Sequence, residues 1–170
     1  LALTAGTLQA WLTLEGVDLK TIGIFTLVGL PYTLKFLWAP VIDRLVPPWL
    51  GRRRGWMVLT QLCVALGVVL MAVTSPRHHP ELLAVFALLV AFLAASLDIV
   101  FDAYRTEAVE SQERGFGAAV WVNGYRIALL VAGAGALVIA DLVGWQTTYL
   151  LLAGLMVIGT AVVFLSPEPG

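Results

Sequence analysis

Three ionisable residues, Lys35, Asp98 and Arg126, lie inside long apolar stretches of this 170-residue chain. A charge at the depth of a lipid bilayer costs from about 3 to more than 10 kcal/mol, so it is normally paired or faces a water-filled cavity. A carboxylate beside a cation in such a cavity can exchange protons, and an arginine can bind a carboxylate with its planar fork of donors. These residue types therefore predict a site for an anion and a proton.

The three residues also lie at comparable depths. At 1.5 Å per residue, Lys35, Asp98 and Arg126 are about 13, 10 and 18 Å from the nearest arginine on one side of the membrane. We interpret Asp98 as the partner of Lys35, and Arg126 as the group that binds an anionic substrate. Asp98 is the first candidate for proton exchange, and Asp102, one turn further along the helix, is the second.

Two tyrosines accompany the cations. Tyr32 shares a helix face with Lys35 and Asp43, and Tyr125 directly precedes Arg126. Both tyrosines are candidate cavity residues. The alternative is that the buried charges form a structural network that only fixes the register of the helices.

These side chains must be positioned by membrane-spanning helices. The chain is 60% hydrophobic and 12% charged, with a mean hydropathy of +0.93, whereas soluble domains carry about 25% charged residues. Five segments have the length of about 20 apolar residues that a spanning helix needs. They are 21–46, 56–75, 82–103, 116–140 and 145–165. The segment 1–14 is too short to span, so we expect the chain to begin inside its first helix.

The positive charges predict the orientation of the helices, because lysine and arginine concentrate in cytoplasmic loops. Arginines at 44, 52–54, 105 and 114 fall on one side of the predicted membrane, and Lys20 and Arg77 fall on the other. Six helices with both ends inside form one bundle, which is half of a common twelve-helix transporter architecture. The sequence does not contain the second six-helix half, so we expect any function assigned here to belong to a longer parent protein. The net charge of −1 predicts no nucleic-acid partner.

The loop "DRLVPPWLGRRRG" places an acid opposite a run of bases. Asp43 and Arg44 end one predicted helix, and Gly51, Arg52 and Arg53 lead into the next. An ordinary positive-inside loop explains the arginines, whereas a charge lock between helices explains both the arginines and the acid. The later segment "TEAVESQERG" is predicted to be a solvated connection.

Small residues predict helix contacts, since they let backbones approach closely. The fifth segment repeats them every four residues, and the fourth carries an alanine line that continues into Asp98 and Asp102. The aspartates are therefore expected on the packed face. The fifth-segment stripe consists of Gly124, Ala128, Ala132, Ala136 and Ala140.

Motifs for other chemistries are missing from the sequence. It contains no phosphate-binding loop, nucleophile elbow or zinc motif, and His78 and His79 lack the spacing of a helical zinc pair. We expect no catalytic residue, metal or cofactor. A polytopic membrane transferase is the alternative from the enzyme class, although its histidines would have to lie near an interface with other catalytic groups.

The loop signature resembles that of the major facilitator superfamily. More specifically, "PYTLKFLWAPVIDR", "GRRRGW", "DIVFDAYRTE" and "ERGFGAA" are similar to the AmpG-type muropeptide permeases. The resemblance covers the whole chain and implies the amino-terminal six-helix half of a multi-pass protein of the bacterial inner membrane.

The resemblance also implies an activity. It is proton-coupled import of anhydro-muropeptides, which are N-acetylglucosamine-anhydro-N-acetylmuramic acid peptides, for cell-wall recycling and, in some bacteria, induction of β-lactamase. The implied partners are the substrate, protons, membrane lipid and the carboxyl-terminal half. The related acetyl-CoA transporters share the architecture and are the nearest alternative.

Overall fold

The computed structural model describes residues 4, 6–45, 47–48, 50–109 and 113–166. Within these ranges the regular structure is helical and contains no strand, so the prediction of an all-α membrane protein is confirmed. Four of the described helices are long and apolar enough to cross a membrane. They are Arg52–Val73, Pro80–Ala108, Gly115–Val143 and Trp145–Leu165.

Nine α-helices are assigned in the described residues, and two of them join through a π-helical turn, Val131–Gly135, into one long span. In chain order they are α1 (Gly6–Leu14), α2 (Leu19–Phe25), α3 (Leu30–Leu34), α4 (Ala39–Arg44), α5 (Arg52–Val73), α6 (Pro80–Ala108), α7 (Arg114–Leu130), α8 (Ala136–Val143) and α9 (Trp145–Leu165).

The second predicted segment, 21–46, is not one continuous α-helix. It is divided into α2, α3 and α4 by two 3₁₀ turns, Thr26–Gly29 and Lys35–Leu37. Pro31 and Pro40 lie in the first turns of α3 and α4. A proline has no N–H to donate to the carbonyl four residues earlier and its ring clashes with that carbonyl. The chain therefore tightens into a 3₁₀ turn before each proline.

The fifth predicted segment packs along only part of its small-residue face. Ala136 is fully buried and Ala140 nearly so, whereas Gly124 and Ala128 are exposed. Between the two parts, the Thr7 hydroxyl of α1 donates a hydrogen bond to the Ala132 carbonyl at 3.0 Å. Residues 115–130 are exposed except for the half-buried Gly117 and Trp121, so most of α7 remains without a partner within the described chain.

Helix α5 is the centre of the bundle, with α6 on one side and α9 on the other. Gly67 of α5 faces Val90 of α6 so closely that an added Cβ would lie 2.5 Å from the Val90 Cγ2 atom. Ala87 and Ala91 of α6 are fully buried, as the alanine line predicts. Other buried members of this core are Leu8, Leu12, Val68, Met71, Leu83 and Tyr149.

Contacts at one end of the bundle join α1 to the segments that follow α5 and α8. Arg77 Nε lies 2.8 Å from a Glu15 carboxylate oxygen. Trp11 and Trp145 stack with their ring centroids 6.1 Å apart. Arg77, which the charge pattern places on the outer side, thus lies beside Glu15 at this end of the bundle. The arginines of the "GRRRG" loop lie at the other end.

Replacing Gly67 with alanine should destabilise the α5–α6 contact. A valine on a helix has one strongly preferred rotamer and cannot move aside freely, so we expect a loss of about 1–3 kcal/mol in the free energy of unfolding. Thermal unfolding of the purified protein in detergent measures it, and Val90→Ala in the same background should restore part of the loss. Gly154→Ala is the matched control, because nothing lies within 4 Å of its added Cβ. Equal stability of the two alanine variants would contradict the close packing.

Candidate functional site

One ammonium group lies between two carboxylates at the centre of the site. Lys35 Nζ is 4.0 Å from Asp98 Oδ2 and 3.8 Å from Asp102 Oδ2. Asp98 and Asp102 can share one cation because residues four apart lie on the same face of a helix. These distances are longer than hydrogen bonds, so the contacts are Coulombic and leave the oxygen atoms open to other partners.

The 3₁₀ turn ahead of Pro40 sets the position of Lys35, and Trp38 attaches that turn to α6. The Trp38 indole N–H donates to the Ser96 hydroxyl at 3.0 Å, and its ring lies 4.8 Å from the Phe92 ring. Trp38 had no role in the sequence analysis. The sequence signal for it was an indole three residues after a lysine in an apolar segment.

The site is accessible rather than sealed in the core. The side chains of Lys35, Asp98 and Asp102 are 34%, 47% and 51% exposed. A network that served only to fix helix register would gain most from full burial among satisfied partners. The partial exposure therefore favours a cluster that can meet a solute or water.

Asp102 connects this cluster to α7. Arg105 Nη2 lies 3.4 Å from Asp102 Oδ1, and the Arg105 guanidinium carbon lies 5.3 Å from the centre of the Trp121 ring. Phe101 contacts the same ring at 5.7 Å. Sequence reasoning used Arg105 only for orientation and gave Trp121 no role, since a cation–π contact between two helices has no local pattern.

Arg126 does not contact the carboxylates that pair with Lys35. Tyr32 lies within electrostatic reach of both Asp98 and Tyr125, which places the residue before Arg126 near the cluster. Arg126 itself is exposed, and no ion pair or hydrogen bond of its side chain occurs among the described residues. This region therefore has a net charge of +1, from three cations (Lys35, Arg105 and Arg126) and two aspartates.

A second charged cluster joins α4, α5 and α6 at one end of the bundle. Arg53 is only 6% exposed. Its Nη1 lies 2.6 Å from Asp43 Oδ1, its Nη2 lies 2.5 Å from Glu107 Oε1, and its Nε lies 2.9 Å from Glu107 Oε2. Arg52 adds a contact of 3.0 Å to Glu107. We call Asp43, Arg52, Arg53 and Glu107 the arginine lock.

Glu107 is exposed, as expected for a solvated segment, but it belongs to α6 rather than to a connection. Helix α6 continues to Ala108, beyond the predicted end at 103, and carries Glu107 to the first turn of α5. An acid in the last turn of a helix, facing a loop with three arginines, was the signal that could have found it.

The other predicted members of the lock have different places. Gly51 precedes α5 with φ of +85°, a conformation that favours glycine. Arg44 is exposed, and no ion pair of its side chain occurs in the described part of the chain. Arg54 donates to the carbonyl of Phe164 near the end of α9, so the basic run reaches a fourth helix.

Comparisons with known proteins agree with the sequence resemblance. Residues 2–170 match the family model of the Major Facilitator Superfamily. The anhydromuropeptide permease of Escherichia coli (strain K12) is 49% identical over 170 residues, which are 99% of this chain and 35% of that protein. An uncharacterized protein of Haemophilus influenzae is 42% identical over 163 residues, 95% of this chain and 38% of that protein.

A candidate AmpG transporter of Rickettsia felis is 34% identical over 162 residues, which are 93% of this chain and 37% of that protein. The chain thus spans little more than a third of the length of these curated relatives.

Replacing Arg53 with alanine should destabilise the bundle and loosen the ends of α4 and α6. Removing one partner of a fully buried ion pair costs about 3–5 kcal/mol. We expect roughly 2–3 kcal/mol here, because water still reaches the carboxylates that lose their partner. Thermal unfolding in lipid-free detergent is the measurement. The control is Arg44→Ala, which should change the free energy of unfolding by about 0.5 kcal/mol or less. If both variants unfold at the same temperature, the lock does not hold the bundle.

Proposed function

The chain belongs to the Major Facilitator Superfamily, and we propose that it is the amino-terminal part of a proton-coupled importer of anhydro-muropeptides in the bacterial inner membrane. The superfamily is one of transporters, so the membrane-transferase alternative is not supported. The observation that carries the proposal is the partly exposed cluster in which Lys35, in a 3₁₀ turn, contacts Asp98 and Asp102 of the spanning helix α6. The 49% identity to a protein named anhydromuropeptide permease supports the substrate class.

The charge balance supports an anionic substrate. Lys35 and Arg105 each contact a carboxylate, which leaves Arg126 as the cation available to a solute. A guanidinium presents two parallel donors that match the two oxygens of a carboxylate. The peptide part of an anhydro-muropeptide carries carboxylates, so Arg126 is the residue that we assign to bind it. We also assign Tyr125 and Tyr32 to this cavity.

The same geometry supports proton coupling through Asp98. Lys35 contacts two carboxylates at nearly equal distances, so protonation of one leaves the ammonium paired with the other. The exchange therefore does not leave an isolated charge at membrane depth, which would be costly. Asp98 is the first choice as proton carrier, since Asp102 is also engaged by Arg105.

The arginine lock supports a conformational role at the cytoplasmic end. It joins the ends of α4 and α6 to the start of α5 through a buried guanidinium. Transport by alternating access requires one bundle to rock against another, and contacts of this kind must then change. The exposed length of α7, with Tyr125 and Arg126 on it, is the face that we assign to the cavity and to the carboxyl-terminal half.

The experiment that tests the proposal is uptake into inverted and right-side-out membrane vesicles. The full parent protein is supplied with labelled anhydro-muropeptide, with and without a proton gradient, and acetyl-CoA and simple sugars are added as competitors. Gradient-dependent accumulation of the muropeptide alone is expected. Accumulation of acetyl-CoA instead would show that acetyl-CoA is the transported solute. Equal accumulation with and without the proton gradient would contradict proton coupling.

Substituting Arg126 with lysine keeps the charge and removes the fork. We expect the apparent affinity for the muropeptide to fall by about tenfold, which corresponds to roughly 1.4 kcal/mol. The concentration dependence of initial uptake rates measures it. Arg77→Lys makes the same change at the opposite end of the bundle and should leave the affinity unchanged. Full uptake with wild-type affinity in Arg126→Lys would remove Arg126 from the binding site.

Substituting Asp98 with asparagine removes the proposed proton carrier at nearly constant volume. We expect loss of uphill, gradient-driven accumulation, while exchange of substrate across the membrane down its own gradient continues. Asp141→Asn makes the same change at an exposed position in α8 and should accumulate substrate as the wild type does. Retained uphill uptake in Asp98→Asn would show that another group carries the proton.

A further inference from the structure

An apolar groove lies outside the charged clusters, between the loop after α4 and the first turns of α5. Its volume is about 450 Å³, within the range of about 300–1,000 Å³ that is typical of small-molecule pockets. Its walls are apolar, with the loop on one side and α5 on the other. Among the lining residues are Leu45, Pro47, Pro48, Trp56, Leu59 and Leu62.

Two contacts hold the loop against the helix and give the groove a defined shape. The Trp56 indole N–H donates to the Leu45 carbonyl at 2.7 Å, so the polar atom of the indole is satisfied and the ring is left as an apolar wall. Pro47 packs on Gly55 so closely that an added Cβ would lie 2.9 Å from the Pro47 Cβ atom. These two contacts therefore fix the position of the loop wall relative to α5.

The depth of the groove indicates what kind of molecule can reach it. The span of α5 begins at Arg52. At 1.5 Å per residue, Leu59 and Leu62 lie about 10 and 15 Å along it. Both leucines are nearly half exposed, so the groove runs from the helix end into the hydrocarbon layer. An acyl chain is the apolar group present at that depth.

The charge at the mouth of the groove selects among lipids. The arginine lock and its neighbours Arg44 and Arg54 carry four guanidinium groups and two carboxylates, an excess of two positive charges among these described residues. Arg53 contacts both carboxylates, and Arg52 shares Glu107. Arg44 is exposed and directly precedes Leu45 of the groove wall, and Arg52 is 45% exposed. Guanidinium groups bind phosphate oxygens with two parallel donors.

We propose that this groove binds a bilayer phospholipid with an anionic headgroup. One acyl chain lies along Trp56, Leu59 and Leu62, and the headgroup meets the positive charge of Arg44 and Arg52. The proposal is independent of the transported solute, because Lys35, Asp98 and Arg126 do not line the groove. Lipid binding is also measured without transport.

The test uses the full parent protein, stripped of lipid in detergent, with phosphatidylglycerol and phosphatidylcholine of the same acyl chains as probes. Native mass spectrometry measures binding. We expect phosphatidylglycerol to bind at least about tenfold more tightly than phosphatidylcholine. Leu62→Trp fills the groove and should weaken phosphatidylglycerol binding by about tenfold or more. Arg44→Gln should reduce the preference for the anionic lipid and leave phosphatidylcholine binding unchanged.

The matched control is Leu66→Trp, one turn further along α5, where the leucine is exposed but does not line the groove. It should bind phosphatidylglycerol as the wild type does. If Leu62→Trp does not fold, as judged by thermal unfolding, Leu59→Trp takes its place. Equal binding of phosphatidylglycerol by the groove-filling and control variants overturns the site, and equal binding of the two lipids by the wild type overturns the assigned headgroup charge.

Discussion

The structure depends on the cost of leaving a charge without a partner in hydrocarbon. That cost explains why Lys35 and Arg53 meet carboxylates in two clusters along α6, one at Asp98 and Asp102 and one at Glu107. Both clusters receive cations from the chain before α6, Lys35 from the broken second segment and Arg53 from α5. Helix α6 is therefore the element on which the charges are paired, and α5 is the apolar support behind it.

The two clusters differ in burial, and this difference separates their roles. Arg53 is almost fully buried and has contacts in the hydrogen-bond range to two carboxylates, an arrangement that holds helices in one position. Lys35 has longer contacts and remains partly exposed, so its partners can be exchanged at low cost. The rigid cluster and the adjustable cluster lie on the same helix, with about one and a half turns between Asp102 and Glu107. Helix α6 is therefore a physical route by which a change of partner at Lys35 can affect the helix ends.

The prolines connect these features. By dividing the second segment they set the turn in which Lys35 faces α6, and the later pair, Pro47 and Pro48, shapes the loop beside the arginine lock. The loop is attached to α5 by Trp56 and Gly55, so the apolar groove and the arginine lock are built from the same short stretch. A lipid in that groove would contact the loop that follows Asp43.

The sequence by itself determined the class of protein, the apolar segments, the face shared by Asp98 and Asp102, and the pairing of an acid with the arginine loop. These properties follow from composition and from helical periodicity, which are local. Only the tertiary structure decided that Glu107 is the main partner of Arg53, that Asp102 is shared by Lys35 and Arg105, and that Trp121 lies under Arg105. Each of these depends on how far a helix extends and which neighbour it meets. The local pattern around either residue does not specify a contact between residues more than fifty positions apart, such as Arg53 with Glu107.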